Sequence, residues 1–264
     1  DIWALEADRA ALSNKNRVYR PPFYSRLYSA HSQLPDFLIN THSVTDATDL
    51  NNYIARLRGM PAVLDLALAR TKASEQAGIR APKFQIETII ATSEKLTSGA
   101  PFGPGPDAAL WADVKAKTAA LVSAGKLGQA DADLLLGQAK DAILALKPAY
   151  GRVIDWAKGN LATAPSGKVG AVTLPGGLDY YANELKLVTT TDLTADQIHQ
   201  IGLKEVARIE AEQDALARQA GFKDREAFYQ ERKRLYPPQP FTDETRAEYL
   251  KTANEFVANT RKLL

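Results

Sequence analysis

Three histidines (His31, His42 and His199) and no cysteine set the limits of metal and nucleophile chemistry in this chain. The His-Glu-x-x-His helix of zinc hydrolases places two imidazoles on one face, with a glutamate to activate water. Here His31 is followed by Ser32, His42 by Ser43 and His199 by Gln200, so that arrangement is absent. Thiolate ligands, cysteine nucleophiles and disulfides are excluded outright. His31 and His42 are spaced to align on one helix, but Pro35 falls between them. Each histidine therefore reads as a surface or hydrogen-bonded structural residue, and no metal site is expected within these residues. The Gly-x-Ser-x-Gly elbow of serine hydrolases is missing. Ser166-Gly167-Lys168 matches a phosphate-binding loop only in part. Ala162 occupies its first glycine position and Val169 the place of its magnesium-binding hydroxyl. Glu205, Glu210, Glu212 and Asp214 share a helix, but at 3.6 residues per turn they spread around its polar side. Arg232-Lys233-Arg234 is interleaved with Glu226 and Glu231 and reads as a solvated face.

The remaining candidates are aromatic. Tyr180-Tyr181 follows the glycine-rich stretch 159–177, which carries five glycines and two prolines. A long irregular segment of this kind is often functional. Its centre, Val169–Leu174, reads as at most a short extended strand. Adjacent helical residues point about 100° apart. One tyrosine can therefore pack inward while the other faces a cleft or solvent, and Tyr181 is expected to reach further.

The elements that must carry these residues are helical. Leu50, Tyr53, Ile54 and Leu57 form an amphipathic stripe capped by Thr45 or Asp46. Pro61 should break that helix or open a new one, which runs on to a stop at Gly78. Pro82 opens the next helix, with Ile86, Ile89 and Ile90 on its buried face. The stretch 98–106 (SGAPFGPGP) is a loop and the best internal boundary, giving helical segments 1–100 and 101–264. Pro148 predicts a kink or two helices. Thr194 with Gln197 reads as a capping box, Asp224 caps a short charged helix, and Thr242 opens the last one. The fold class is all-α, a multi-helix array with at most the one short strand.

Composition agrees with a folded chain. Of 264 residues, 45% are hydrophobic and 24% charged, which is ordinary for a globular protein. Lys+Arg 33 against Asp+Glu 31 leaves a net charge of +2, too balanced for a nucleic-acid partner to be expected. No apolar run approaches the roughly 20 residues that span a bilayer. The chain opens already in helical period and stops at TRKLL without a stop residue, so end chemistry leaves a cut chain and fraying ends both open.

Several stretches in order resemble the bacterial "domain of unknown function 885" proteins: Leu34–Val44 (LPDFLINTHSV), Tyr53–Leu57 (YIARL), Ala77–Ile90 (AGIRAPKFQIETII), Lys147–Tyr150 (KPAY) and, most specifically, Leu174–Glu210. That last piece combines a Leu-Pro-x-Gly entry, the Tyr-Tyr pair, TTTDLT and an Ile-His-x-x-Gly-Leu-x-Glu-Val run. The resemblance implies a largely α-helical protein, regarded as zinc-metallopeptidase-like and longer than this chain. Its His-Glu-x-x-Pro-Gly-His zinc helix would lie in a C-terminal part absent here. It thus implies the N-terminal-to-central portion of a peptide hydrolase that supplies a cleft wall, with Tyr180, Tyr181 and His42 as substrate contacts. Neither cofactor nor catalytic residue is expected in this chain. The implied partners are the remainder of the protein or a companion chain, and a peptide. The implied location is extracytoplasmic, periplasmic or lipid-anchored. The rival reading is a non-catalytic helical binding or scaffold module.

Overall fold

A computed structural model describes residues 2–24 and 29–262. Helix accounts for 74% of the chain, and no strand forms among the described residues, so the architecture is an all-α array. The chain forms two compact units, 1–192 and 193–264. The 98–106 loop lies inside the first, folded back on itself through a bridge between Ala100 and Asp107.

The first unit begins with α1 (Ile2–Lys15), which tightens into a 3-10 turn at Asn16–Tyr19. Then come α2 (Ala30–Asp36), α3 (Ala47–Gln76), α4 (Lys83–Leu96), α5 (Ala109–Ser123), α6 (Gln129–Leu144), α7 (Leu146–Leu161) and α8 (Gly177–Thr189). The centre is α3. Asp46 caps it by accepting from the Asp49 N–H at 2.9 Å, and Gly78, at φ +80°, closes the turn after it. Its stripe of Leu50, Tyr53, Ile54, Leu57 and Leu64 is buried against α5, α6 and α7, while α4 lies along α7.

Pro61 does not divide this helix. It sits inside a continuous α3. The missing N–H and ring clash cost about 3 kcal/mol in a helix interior, whereas each fully buried Leu or Ile contributes about 1.5–3 kcal/mol. Leu50, Ile54 and Leu57 before the proline and Leu64 and Leu68 after it bury on the same core. Continuity of the stripe therefore outweighs the local defect. Pro148, by contrast, falls in the first turn of α7, where no N–H is needed, and two helices result.

Pro35 is absorbed differently. It lies inside α2 and cannot donate to the carbonyl of His31, four residues back. The buried Tyr150 hydroxyl from α7 donates to that carbonyl instead, at 2.7 Å. After α2 the backbone widens into a π turn, Phe37–Thr41. The Lys117 ammonium from α5 donates to the Leu38 and Ile39 carbonyls at 2.7 and 3.1 Å, and to Asp113 Oδ2 at 2.8 Å. The link between α3 and α4 is tied to α7 by Arg80, which donates to Asn160 Oδ1 at 2.9 Å and to Thr163 Oγ1 at 2.7 Å. The Lys83 N–H reaches the Pro165 carbonyl at 2.8 Å.

The extended strand expected at Val169–Leu174 is not formed. Ala171–Thr173 is a 3-10 turn, and the Thr173 and Leu174 N–H groups donate to the Gly170 and Ala171 carbonyls. Backbone donors used within the turn are not offered to a pairing strand.

The second unit contains α9 (Ala195–Gln219), α10 (Arg225–Leu235) and α11 (Asp243–Arg261). The Thr194–Gln197 capping box forms, Asp224 caps α10, and Thr242 caps α11. α10 folds back on α9. Among the described residues, no helix is long and apolar enough to cross a membrane.

Candidate functional site

The glycine-rich segment is shaped by two residues at its end. Gly176 adopts φ +62°, a left-handed conformation that costs glycine little. A Cβ on Gly177 would lie 1.6 Å from the Ala171 carbonyl oxygen, so only glycine fits where α8 starts against the 3-10 turn. The turn and α8 are thereby held against the 3-10 turn that follows α1. Tyr19 donates to the Pro175 carbonyl at 2.8 Å. Its ring stacks on that of Tyr180, with centroids 4.4 Å apart and planes inclined by 15°.

Tyr180 and Glu184 are one helical turn apart and share a face of α8. Glu184 pairs with the Arg20 guanidinium and accepts from the buried Asn16 amide at 2.7 Å. The Glu184 hydrogen bond, opposed by partial burial and assisted by Tyr180, raises the Arg20 pKa above its ordinary value. The charge and direction of Arg20 are thus fixed by one carboxylate and one buried amide. Tyr24 stands nearby, and burial raises its phenol pKa. Tyr19, Arg20, Tyr24 and Tyr180 wall a cleft of about 380 Å³, floored by Gly170, Ala171 and Leu174. Its walls present aromatic faces, one oriented guanidinium and glycine backbone, which is the chemistry of binding.

The three residues singled out in the sequence are not brought together. Tyr180 lines the cleft. Tyr181, 47% exposed, does not contribute to its walls. His42 lies directly after the π turn and ahead of α3, buried edge-on to Tyr53. Its Nε2 lies 3.2 Å from the Asp49 carbonyl, and its Nδ1 is in contact with Arg56. Burial first, opposed by the hydrogen bond to the Asp49 carbonyl and reinforced by the Arg56 and Lys117 charges, lowers its pKa, and both ring nitrogens are engaged. His31 is buried, with Nδ1 2.8 Å from Ser29 Oγ, and His199 is exposed on α9. Among the described residues no three His, Asp or Glu side chains converge to hold a metal ion. Tyr19, Arg20, Asn16 and Glu184 escaped the sequence reading, because their partners lie more than 150 residues away. The one local signal was the Tyr180/Glu184 spacing.

A family model described as "Bacterial protein of unknown function (DUF885)" matches residues 4–264. The chain belongs to this family. The stretches that carried the family resemblance now have structural roles. KPAY supplies the tyrosine that compensates Pro35 of LPDFLINTHSV. AGIRAP supplies the Arg80 ties. The Leu-Pro-x-Gly entry supplies Leu174 of the cleft floor and the obligate Gly177 at the start of α8. A solved structure described as "the putative lipoprotein from Colwellia psychrerythraea" is similar to this chain, with a TM-score of 0.73 at 20% identity. The match covers 92% of this chain and 41% of that one, and shows that the helical fold recurs within a longer protein. No curated protein matches.

Proposed function

We propose that the chain forms the binding wall of a peptide cleft in a metallopeptidase-like hydrolase, with zinc held by the remainder of the same protein or by a companion chain. The observation that carries this reading is the Tyr19–Tyr180–Arg20 cleft. Stacked rings offer an apolar wall for a peptide side chain. An Arg20 held by Glu184 keeps further N–H donors for a peptide carbonyl. The described residues do not themselves fit a zinc shell, which needs three or four converging ligands. The part assigned to this chain is therefore to bind and orient. Similarity to a longer solved chain supports a protein with further segments, and that chain's description as a lipoprotein supports an extracytoplasmic location.

The test replaces Tyr180 and Tyr181 separately by alanine in the polypeptide that carries the zinc segment, and follows peptide turnover. Tyr180→Ala should raise KM roughly tenfold with a smaller effect on kcat, the pattern of lost ground-state binding. Tyr181→Ala should leave both near wild type. Unchanged kinetics for both variants would remove the cleft from the substrate path. Peptide binding with no turnover at any pH or zinc concentration would favour the non-catalytic binding module.

A further inference from the structure

A second concavity lies on the other side of the Arg20-Pro21-Pro22 segment. The end of α1, the following 3-10 turn and the last third of α3 enclose about 350 Å³. Lys15, Arg17, Arg20 and Arg70 line it, and among the described residues no aspartate or glutamate does. Of the four cations, Arg20 alone takes part in an ion pair among the described residues. Arg70 is half-buried on α3, and the apolar surfaces of Val18, Pro21 and Ala73 stand beside it.

This arrangement is costly without a counter-charge. Like charges around one concavity repel, and a partly desolvated guanidinium gives up hydration without a compensating hydrogen bond. A cleft lined by one sign of charge between low-dielectric walls concentrates counter-ions. Guanidinium forks match the paired oxygens of carboxylate and phosphate. The volume admits a small ligand rather than a folded partner.

We propose that this pocket binds an oxyanion, the carboxylate or phosphate group of a small ligand, with Arg70 and Arg17 as its principal donors. The site shares the Arg20-Pro21-Pro22 segment with the tyrosine cleft as a common wall, its principal donors lie outside that cleft, and its test does not depend on peptidase activity. Titration calorimetry of the 264-residue chain, at fixed ionic strength, would use pyrophosphate, N-acetyl-dialanine as the free acid, and N-acetyl-dialanine amide. Binding of pyrophosphate alone assigns a phosphate-bearing ligand. Binding of the free acid but not the amide assigns a carboxylate. Binding of both anions leaves the oxyanion site standing with broad selectivity. In each case Arg70→Gln should weaken the affinity at least tenfold, Arg70→Lys less, and the exposed Lys251→Gln on α11 not at all. Should Arg70→Gln fail to fold, the exposed Arg17→Gln makes the same comparison. No heat with either anion, or equal weakening by the pocket variant and Lys251→Gln, overturns the proposal.

Discussion

Gly177 and His31 carry consequences that reach beyond their immediate neighbours. Replacing Gly177 by alanine drives a methyl group to 1.6 Å from the Ala171 carbonyl, and backbone must move to relieve it. The expected loss is about 1–3 kcal/mol, the range for overpacking, read as a lower urea midpoint. Gly151→Ala, within α7 and with nothing inside 4 Å of its Cβ, should instead gain up to about 1 kcal/mol. His31 is buried, and desolvation lowers its pKa from 6.5 to about 4. The unfolded chain takes up its proton first as pH falls, so stability is full above pH 6.5 and declines toward pH 4. The loss is on the order of 3 kcal/mol across that window. Stability curves of wild type and His31→Gln should run parallel above pH 7 and converge below pH 6. Parallel curves throughout would mean that His31 titrates normally in the fold.

At the scale of elements, α2 and α7 are coupled through one hydrogen bond that compensates a proline. Tyr150→Phe removes the donor from the buried His31 carbonyl and should cost about 1–3 kcal/mol. Pro35→Ala restores a backbone N–H to α2, four residues beyond that carbonyl. In the Pro35→Ala background the Tyr150→Phe cost should fall by half or more, a non-additivity that a double-mutant cycle measures directly. Equal costs in both backgrounds would show that the hydroxyl does not stand in for the missing amide. The same logic explains why α3 survives Pro61: a stripe buried on both sides of the defect holds the helix together.

At the scale of the whole molecule, the two units bury their apolar residues very differently. The first has a continuous core around α3. In the second, Ile201, Val206 and Ile209 on α9, and Tyr249, Phe256 and Val257 on α11, are exposed, Val206 by 55% and Phe256 by 70%. Large contiguous apolar patches are uncommon on the surfaces of monomeric soluble proteins. In the 264-residue chain, Val206→Gln and Phe256→Gln should each change stability by less than about 0.5 kcal/mol, as other surface substitutions do. Ile143→Ala in the core should cost about 2–5 kcal/mol. In a longer polypeptide that covers these faces, the same two glutamine variants should cost about 1–3 kcal/mol each. Costs that do not change with chain length would show that nothing further packs there.

Local chemistry made the helices legible. The stripe from Leu50 to Leu57, the caps at Thr194, Asp224 and Thr242, and the Gly78 stop each depend on residues a few positions apart, and the chain alone determined them; it narrowed the first cap to Thr45 or Asp46, and the structure selects Asp46. The behaviour of its prolines was not local. Pro35, Pro61 and Pro148 break the same backbone hydrogen bond in principle, and only the tertiary structure decided which is compensated by Tyr150, which is carried by a buried stripe and which begins a helix. The cleft follows the same division. Its glycine-rich floor and Tyr180 stood out in the sequence, while Tyr19, Arg20, Asn16 and Glu184 are joined to it across more than 150 residues. Nothing in the spacing of residues along the chain encodes a contact whose two halves meet only when the last helix of the unit folds back on the first.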